Sequence, residues 1–122
     1  MTYITDANAF LISLMSFYRQ KPSKEYIRAL ADSELWAIHY NDLNKLKAEN
    51  EGFRTFYIGE LENLVVAMDE TRSNLITLTA EERYAFMMKE EPVLLQQTPL
   101  QYLASILGVT RRHLSRIRNN FS

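Results

Sequence analysis

Residues 98–120 read TPLQYLASILGVTRRHLSRIRNN, and this stretch decides the fold class. Leu103, Ile106 and Leu107 recur at the spacing of one helix face, and Ala104 is small where two crossing helices approach. Thr98 and Pro99 are read as the cap and first residue of that helix, which runs to Leu107. Gly108 falls where a sharp turn demands positive φ, a conformation glycine adopts without a Cβ penalty. Val109 plugs the corner, Thr110 caps a second helix, and Leu114 and Ile117 anchor that helix three residues apart. Together these are the parts of a helix-turn-helix.

The second helix turns Arg111, Arg112, Ser115 and Arg116 outward, with His113 or Arg118 beside them. Arginine can grip the O6 and N7 edge of guanine with two hydrogen bonds, or neutralise a phosphate. The charge is also distributed unevenly. From Pro92 onward the chain has four arginines and no acidic residue, a local +4, whereas the whole chain carries −1. A basic end on a mildly acidic body steers a protein towards phosphates. Four solvated arginines on an ordinary surface helix are the plain alternative. The small residue, the glycine, the threonine cap and the outward arginines coincide in register, which favours DNA.

Working back from this motif, TAEE at 79–82 is a capping box that starts a helix ending near Glu90, before Pro92. A long helix is expected over 53–76. Tyr57, Leu61, Leu64, Met68, Thr71, Leu75 and Leu78 step by four and three along it, and Thr71 is the weak position. That seam suits a partner helix, as in a coiled coil, and marks Tyr57, Leu61, Leu64, Met68 and Leu75 as dimer-interface residues. A short helix capped by Asn41 or Asp42 should precede it and run through Ala48, with Leu43 and Leu46 inward and a break at Glu51 and Gly52. Residues 1–40 look irregular and partly extended. YIRAL at 26–30 and LWAIHY at 35–40 are candidate strands of a hairpin, and residues 9–19 fit either a short helix or a buried strand.

The 122 residues are 47% hydrophobic and 24% charged, which suits a folded, soluble protein, and three glycines with three prolines favour long helices. With no cysteine, disulfides, thiolate metal sites and a cysteine nucleophile are excluded, and the composition fits a reducing cytoplasm. The apolar run at 9–17 has no basic cluster before it and is too short to span a bilayer, so a cytoplasmic protein without membrane contact is expected.

The stretch AEERYAFMMKEEPVLLQQTPLQYLASILGVTRRHLSRIRNNF, residues 80–121, resembles the C-terminal module of the Crp/Fnr family of bacterial transcription regulators. Its EERY segment and P-LLQ--PL-YLAS-LG-T---LSRIR spacing are similar to the branch that ends soon after the recognition helix. The resemblance implies DNA-reading positions at Arg111, Arg112, Ser115 and Arg116; on the DNA-binding reading itself Arg111, Arg112 and Arg116 meet bases, while Thr110, Ser115 and Arg118 position the DNA backbone. It extends more loosely upstream. Residues 16–38 look like the tail of the family's cyclic-nucleotide-binding β-roll, residues 41–48 like the short helix after it, and residues 53–76 like the dimerisation helix. The implied fold is mainly α (α+β in class). It comprises a small β-roll remnant at 1–40, a short helix plus long dimerisation helix at 41–78, and a helix-turn-helix DNA-binding domain at 79–122. Most of the β-roll is missing, so an N-terminally truncated member is expected. The positions that match the family's phosphate-binding cassette are Ser13, Leu14 and Ser23, where the ribose-binding carboxylate and the phosphate-binding guanidinium are absent. Lys24 is the one nearby cation. No tight cyclic-nucleotide binding and no cofactor are therefore expected.

Other chemistry is sparse. His39 and His113 have no acidic partner at metal-ligand spacing, and Glu81, Glu82, Glu90 and Glu91 read as capping or solvated carboxylates, so neither a metal site nor an enzyme is expected. Trp36, Phe53, Phe56, Tyr57 and Tyr84 are more often core and interface than ligand pocket. The resulting expectation is a homodimeric, sequence-specific regulator that binds double-stranded DNA, with RNA polymerase a further candidate partner. The alternatives are a dimerisation module that pairs with a full-length family member, and a small-molecule sensor.

Overall fold

The structure, a computed structural model, describes residues 4, 5 and 9–121. Among them are seven helices and no strand: α1 (Leu14–Arg19), α2 (Tyr40–Glu49), α3 (Glu51–Thr77), α4 (Ala80–Glu90), α5 (Pro92–Gln97), α6 (Leu100–Leu107) and α7 (Arg111–Asn120). The chain is mainly helical. It divides into two compact units, and the boundary falls inside α3, between Asp69 and Glu70.

The hairpin expected at 26–40 is not formed. Residues 21–39 are irregular and exposed throughout, with Trp36 at 92% exposure. A two-stranded ribbon with no packed face is marginal in water, and these residues have no sheet to join among the described ones. The parts of the expected β-roll remnant at 1–3 and 6–8 lie outside the described residues. At residues 9–19 the helical alternative is realised over Leu14–Arg19, which ends with Gln20 in the left-handed region at φ 51°.

Within the unit Phe10–Asp69, the start of α2 differs from expectation. His39 is the cap, its Nδ1 accepting from the Asn41 backbone N–H at 3.2 Å. Asn41 and Asp42 therefore fall inside the first turn, where the Asp42 carboxylate favours the helix dipole. Nor does Gly52 break the chain. Asn50 is the single non-helical residue between α2 and α3, and its Oδ1 accepts from Phe53 N–H at 2.8 Å. That cap lets α3 begin at Glu51 with Gly52 inside it. Leu43 is buried, and the same unit holds aromatic contacts: Phe17 edge-on to Tyr40, and Phe53 stacked on Tyr57 with ring centroids 6.0 Å apart.

In the unit containing Glu70–Ser122, the capping box forms as its sequence requires. Thr79 Oγ1 accepts from Glu82 N–H at 3.2 Å, and Glu82 Oε2 accepts from Thr79 N–H at 2.9 Å. Pro92 then opens α5, a helix not anticipated between Pro92 and Thr98; proline fits there because the first helical residue needs no N–H partner. Thr98 closes α5 instead of capping α6. Its hydroxyl donates to the Leu94 carbonyl at 2.5 Å, and Pro99 takes the cap position of α6. Tyr84 and Met87 of α4, Leu103, Ala104 and Leu107 of α6, and Leu114 and Ile117 of α7 form one buried core, with Ala80, Leu95, Leu100 and Val109 packed against it.

Candidate nucleic-acid interface

The turn between α6 and α7 is built by backbone hydrogen bonds. Gly108 lies at φ 68° and ψ 31°; its N–H donates to Ser105 O at 3.2 Å, and Val109 N–H donates to Ala104 O at 3.0 Å. This pair is the Schellman closure of a helix C-terminus, and Val109 supplies the apolar contact that accompanies it by packing on the core. One residue later Thr110 starts α7, its Oγ1 accepting from His113 N–H at 3.1 Å. Two helices are thus joined by three residues, each with a defined backbone role.

Burial then orients α7. Leu114 and Ile117 are 0% and 1% exposed, His113 is half-buried, and Arg111, Arg112, Ser115, Arg116 and Arg118 are exposed. All six sequence-predicted DNA-contacting residues, Thr110 included, therefore lie on one short element. No acidic side chain among the described residues pairs with Arg111, Arg112 or Arg116. The Ser115 hydroxyl donates to Arg111 O at 3.1 Å, so in this state its oxygen is available as an acceptor only. The Thr110 oxygen already accepts from His113, which leaves its own hydrogen for donation.

Two features of the site were not anticipated. Asn119 is exposed and continues the stripe of Arg112, Ser115 and Arg116 at helical spacing; the signal was its position seven residues after Arg112. Arg83 of α4 reaches the turn from outside the motif, its Nη2 donating to Leu107 O at 2.6 Å. No local sequence pattern marks that contact, because the partners are 24 residues apart. His113 Nε2 lies 3.8 Å from Glu81 Oε1, which ties α7 as well as α6 to α4.

On α3 the five candidate interface residues differ in surroundings. Tyr57, Leu61 and Leu64 are half-buried, while Met68 and Leu75 are exposed. Tyr57 is engaged within its own chain: its hydroxyl hydrogen-bonds with that of Tyr18, and Lys47 Nζ sits 4.9 Å above its ring. Burial, then the Tyr18 hydroxyl, holds the Tyr57 phenol well above the ordinary tyrosine range. Within the unit Phe10–Asp69 the apolar side chains left outside on α3 are Ile58, Val65 and Met68, with half-buried Leu61 between them and Val66 beside them; in the other unit Leu75 and Ile76 are exposed. The stripe from Ile58 to Met68 keeps the three-and-four spacing but is turned slightly around the helix from the sequence seam.

The remaining candidates are dispersed. Tyr84 belongs to the core of the C-terminal unit, Phe53 and Phe56 to the aromatic contacts of the other, and Trp36 to the exposed segment. Ser13 and Ser23, two of the positions matched to the phosphate cassette, do meet. Their hydroxyls are 3.1 Å apart, and Ser13 Oγ donates to Glu25 Oε2 at 3.0 Å. A carboxylate there opposes an anionic ligand. Among the described residues, no group of three or more His, Asp or Glu side chains is placed to hold a metal ion, and no helix is long and apolar enough to cross a membrane. Compared with family models, curated proteins and solved structures, the chain matches none.

Proposed function

We propose that this protein is a DNA-binding transcription regulator that reads duplex DNA through α6 and α7 and acts as a homodimer. One observation carries the reading: α7 buries Leu114 and Ile117 completely, and its opposite face offers Arg111, Arg112 and Arg116 with no described acidic partner. An amphipathic helix whose polar face is arginine-rich, held by a three-residue turn, fits the major groove, where the first turns of a recognition helix meet base edges. Arg112 and Arg116 are the base-reading candidates at the centre of the stripe, together with Arg111, and Asn119 extends it. Thr110 can donate to a phosphate, and Arg118 on the flank adds charge. The acceptor-only state of Ser115 suits a base amino group better than a phosphate.

A single module of this size makes few phosphate contacts, and pairing two of them doubles the electrostatic contribution and sets a half-site spacing. The stripe from Ile58 to Met68 on α3, whose outer side chains are exposed, is the seam proposed for that pairing. The resemblance to Crp/Fnr regulators points the same way, and the Ser13–Ser23–Glu25 cluster supports a regulator that does not bind cyclic nucleotides tightly. Fluorescence-anisotropy titration against a randomised duplex pool at two salt concentrations, with sequencing of the bound fraction, tests the proposal. Enrichment of a two-fold-symmetric motif with a steep salt dependence is the expected result. Weak binding without enrichment refutes sequence-specific recognition by this chain alone.

A second reading is favoured by residues 26–38, where Tyr26, Ile27, Leu35 and Trp36 are all exposed. As a β-roll remnant, this segment would pair with strands of a full-length relative, and the chain would serve as a dimerisation module for it. Light scattering separates the two: a discrete homodimer favours the first reading, and polydisperse association favours the second.

A further inference from the structure

We propose that Arg83 is a positioning residue that sets the direction of the recognition helix α7 by holding the C-terminal carbonyl of α6, an inference that rests on the DNA-binding reading above. The last carbonyls of a helix have no partners within it, and together they form the negative end of its dipole. Here the Schellman closure satisfies Ala104 O and Ser105 O through the amides of Gly108 and Val109. The Leu107 carbonyl, immediately before Gly108, is taken by Arg83 Nη2 at 2.6 Å. A guanidinium on α4 is thereby fastened to the residue from which the chain turns into α7.

The side chain is partly buried, and its Nε is buried with no hydrogen-bond partner among the described residues. Desolvating a guanidinium to leave one donor unsatisfied is a poor way to gain stability, and an apolar side chain of similar length would fill the space more cheaply. What arginine provides, and an apolar side chain lacks, is a directional, charge-assisted hydrogen bond to one carbonyl. The neighbouring Tyr84 and Met87 are core residues, so α4 is a firm base for that bond. The His113–Glu81 contact links α4 directly to the first turn of α7, so α4 meets α7 at its start as well as holding the end of α6.

The test compares Arg83→Met and Arg83→Lys with the parent, each as the full chain. Amide hydrogen exchange is followed at Gly108, Val109 and Thr110, and affinities are measured for the enriched duplex and for random duplex. Arg83→Met is expected to speed exchange in the turn while leaving the amides of Tyr84 and Met87 unchanged. It should weaken binding to the enriched duplex about tenfold, equivalent to about 1.4 kcal/mol, and leave random-duplex binding and its salt dependence as in the parent, because every arginine of α7 remains. Arg83→Lys should recover part of the discrimination. Uniform acceleration of exchange across α4, α6 and α7, or equal loss of specific and random binding, would show that Arg83 only stabilises the unit and would overturn the proposal. Unchanged exchange in the turn overturns it too. If the parent itself enriches no sequence, the DNA-binding reading fails, yet the exchange measurement still decides whether Arg83 holds the turn.

Discussion

Replacing Gly108 by alanine isolates the backbone requirement of the helix-turn-helix from every other effect. Gly108 sits at φ 68°, and a Cβ built on it meets nothing within 4 Å, so alanine introduces no clash. The penalty is then conformational alone. An L-residue in the left-handed region loses about 1–2 kcal/mol, and alanine also narrows the unfolded ensemble, which offsets about 0.4–1 kcal/mol. The expected net destabilisation is about 1 kcal/mol. Asparagine, whose short polar side chain tolerates this region, should lose less than alanine. Urea denaturation followed by circular dichroism reads the effect. At a slope of about 1 kcal/mol/M, the midpoint for Gly108→Ala should fall by about 1 M with the slope unchanged. No shift would mean that the turn does not require positive φ in solution. A loss above about 3 kcal/mol would mean that the space around Gly108 is filled, contrary to the structure.

Arg116→Ala should lose about 1–3 kcal/mol of discrimination between the enriched duplex and a variant at one position, read by competition anisotropy; uniform weakening across all sequences would assign Arg116 to a phosphate. Leu114→Ala, at a fully buried site, should destabilise the C-terminal unit by about 2–5 kcal/mol in thermal or urea denaturation, and a loss under 1 kcal/mol would contradict its place in the core. Val65→Asp puts a charge on the exposed stripe of α3 and should convert a dimer to a monomer by light scattering, whereas Tyr57→Phe, on the inward side, should leave the oligomeric state unchanged. Tyr57 should stay protonated at a pH where ordinary tyrosines ionise, seen as a late-titrating group in an ultraviolet tyrosinate titration. Because its folded pKa is raised above 10.0, the stability it contributes is complete below that pH and declines as pH rises further. Loss of that late group in Tyr57→Phe checks the assignment.

The parts of the fold legible in the sequence are those whose partners lie within about four residues along the chain. Thr79 and Glu82 form a capping box because both hydrogen bonds close within one turn, and Thr110 caps α7 for the same reason. Gly108 ends α6 because positive φ is a property of the residue itself. The spacing of Leu103, Leu107, Leu114 and Ile117 similarly identifies the buried faces of α6 and α7, and with them the outward arginines. Where two short-range solutions competed, sequence could not choose between them. Asn50 instead of Gly52 separates α2 from α3, His39 caps α2 ahead of Asn41 and Asp42, and the Thr98 hydroxyl turns back to Leu94 instead of forward. Each is a contest between local hydrogen bonds of similar strength, which residue type and spacing alone do not rank.

Tertiary structure decided the features that depend on distant partners. Which stripe of α3 stays outside follows from what its own chain covers: Tyr18 and Lys47 engage Tyr57, and the exposed seam shifts towards Ile58 and Val65. Residues 26–40 alternate like strands, yet a strand needs a neighbour to satisfy its backbone, and no strand occurs among the described residues. The Arg83–Leu107 hydrogen bond joins residues 24 positions apart, and only the folded chain brings them together. Local chemistry thus determined where the helices of the C-terminal motif begin, turn and expose charge, because those hydrogen bonds and φ preferences act within a turn or two. Contacts across the chain decided what holds that motif in place and which face of α3 remains available, because burial is a property of the assembled surface and no short stretch of sequence contains it.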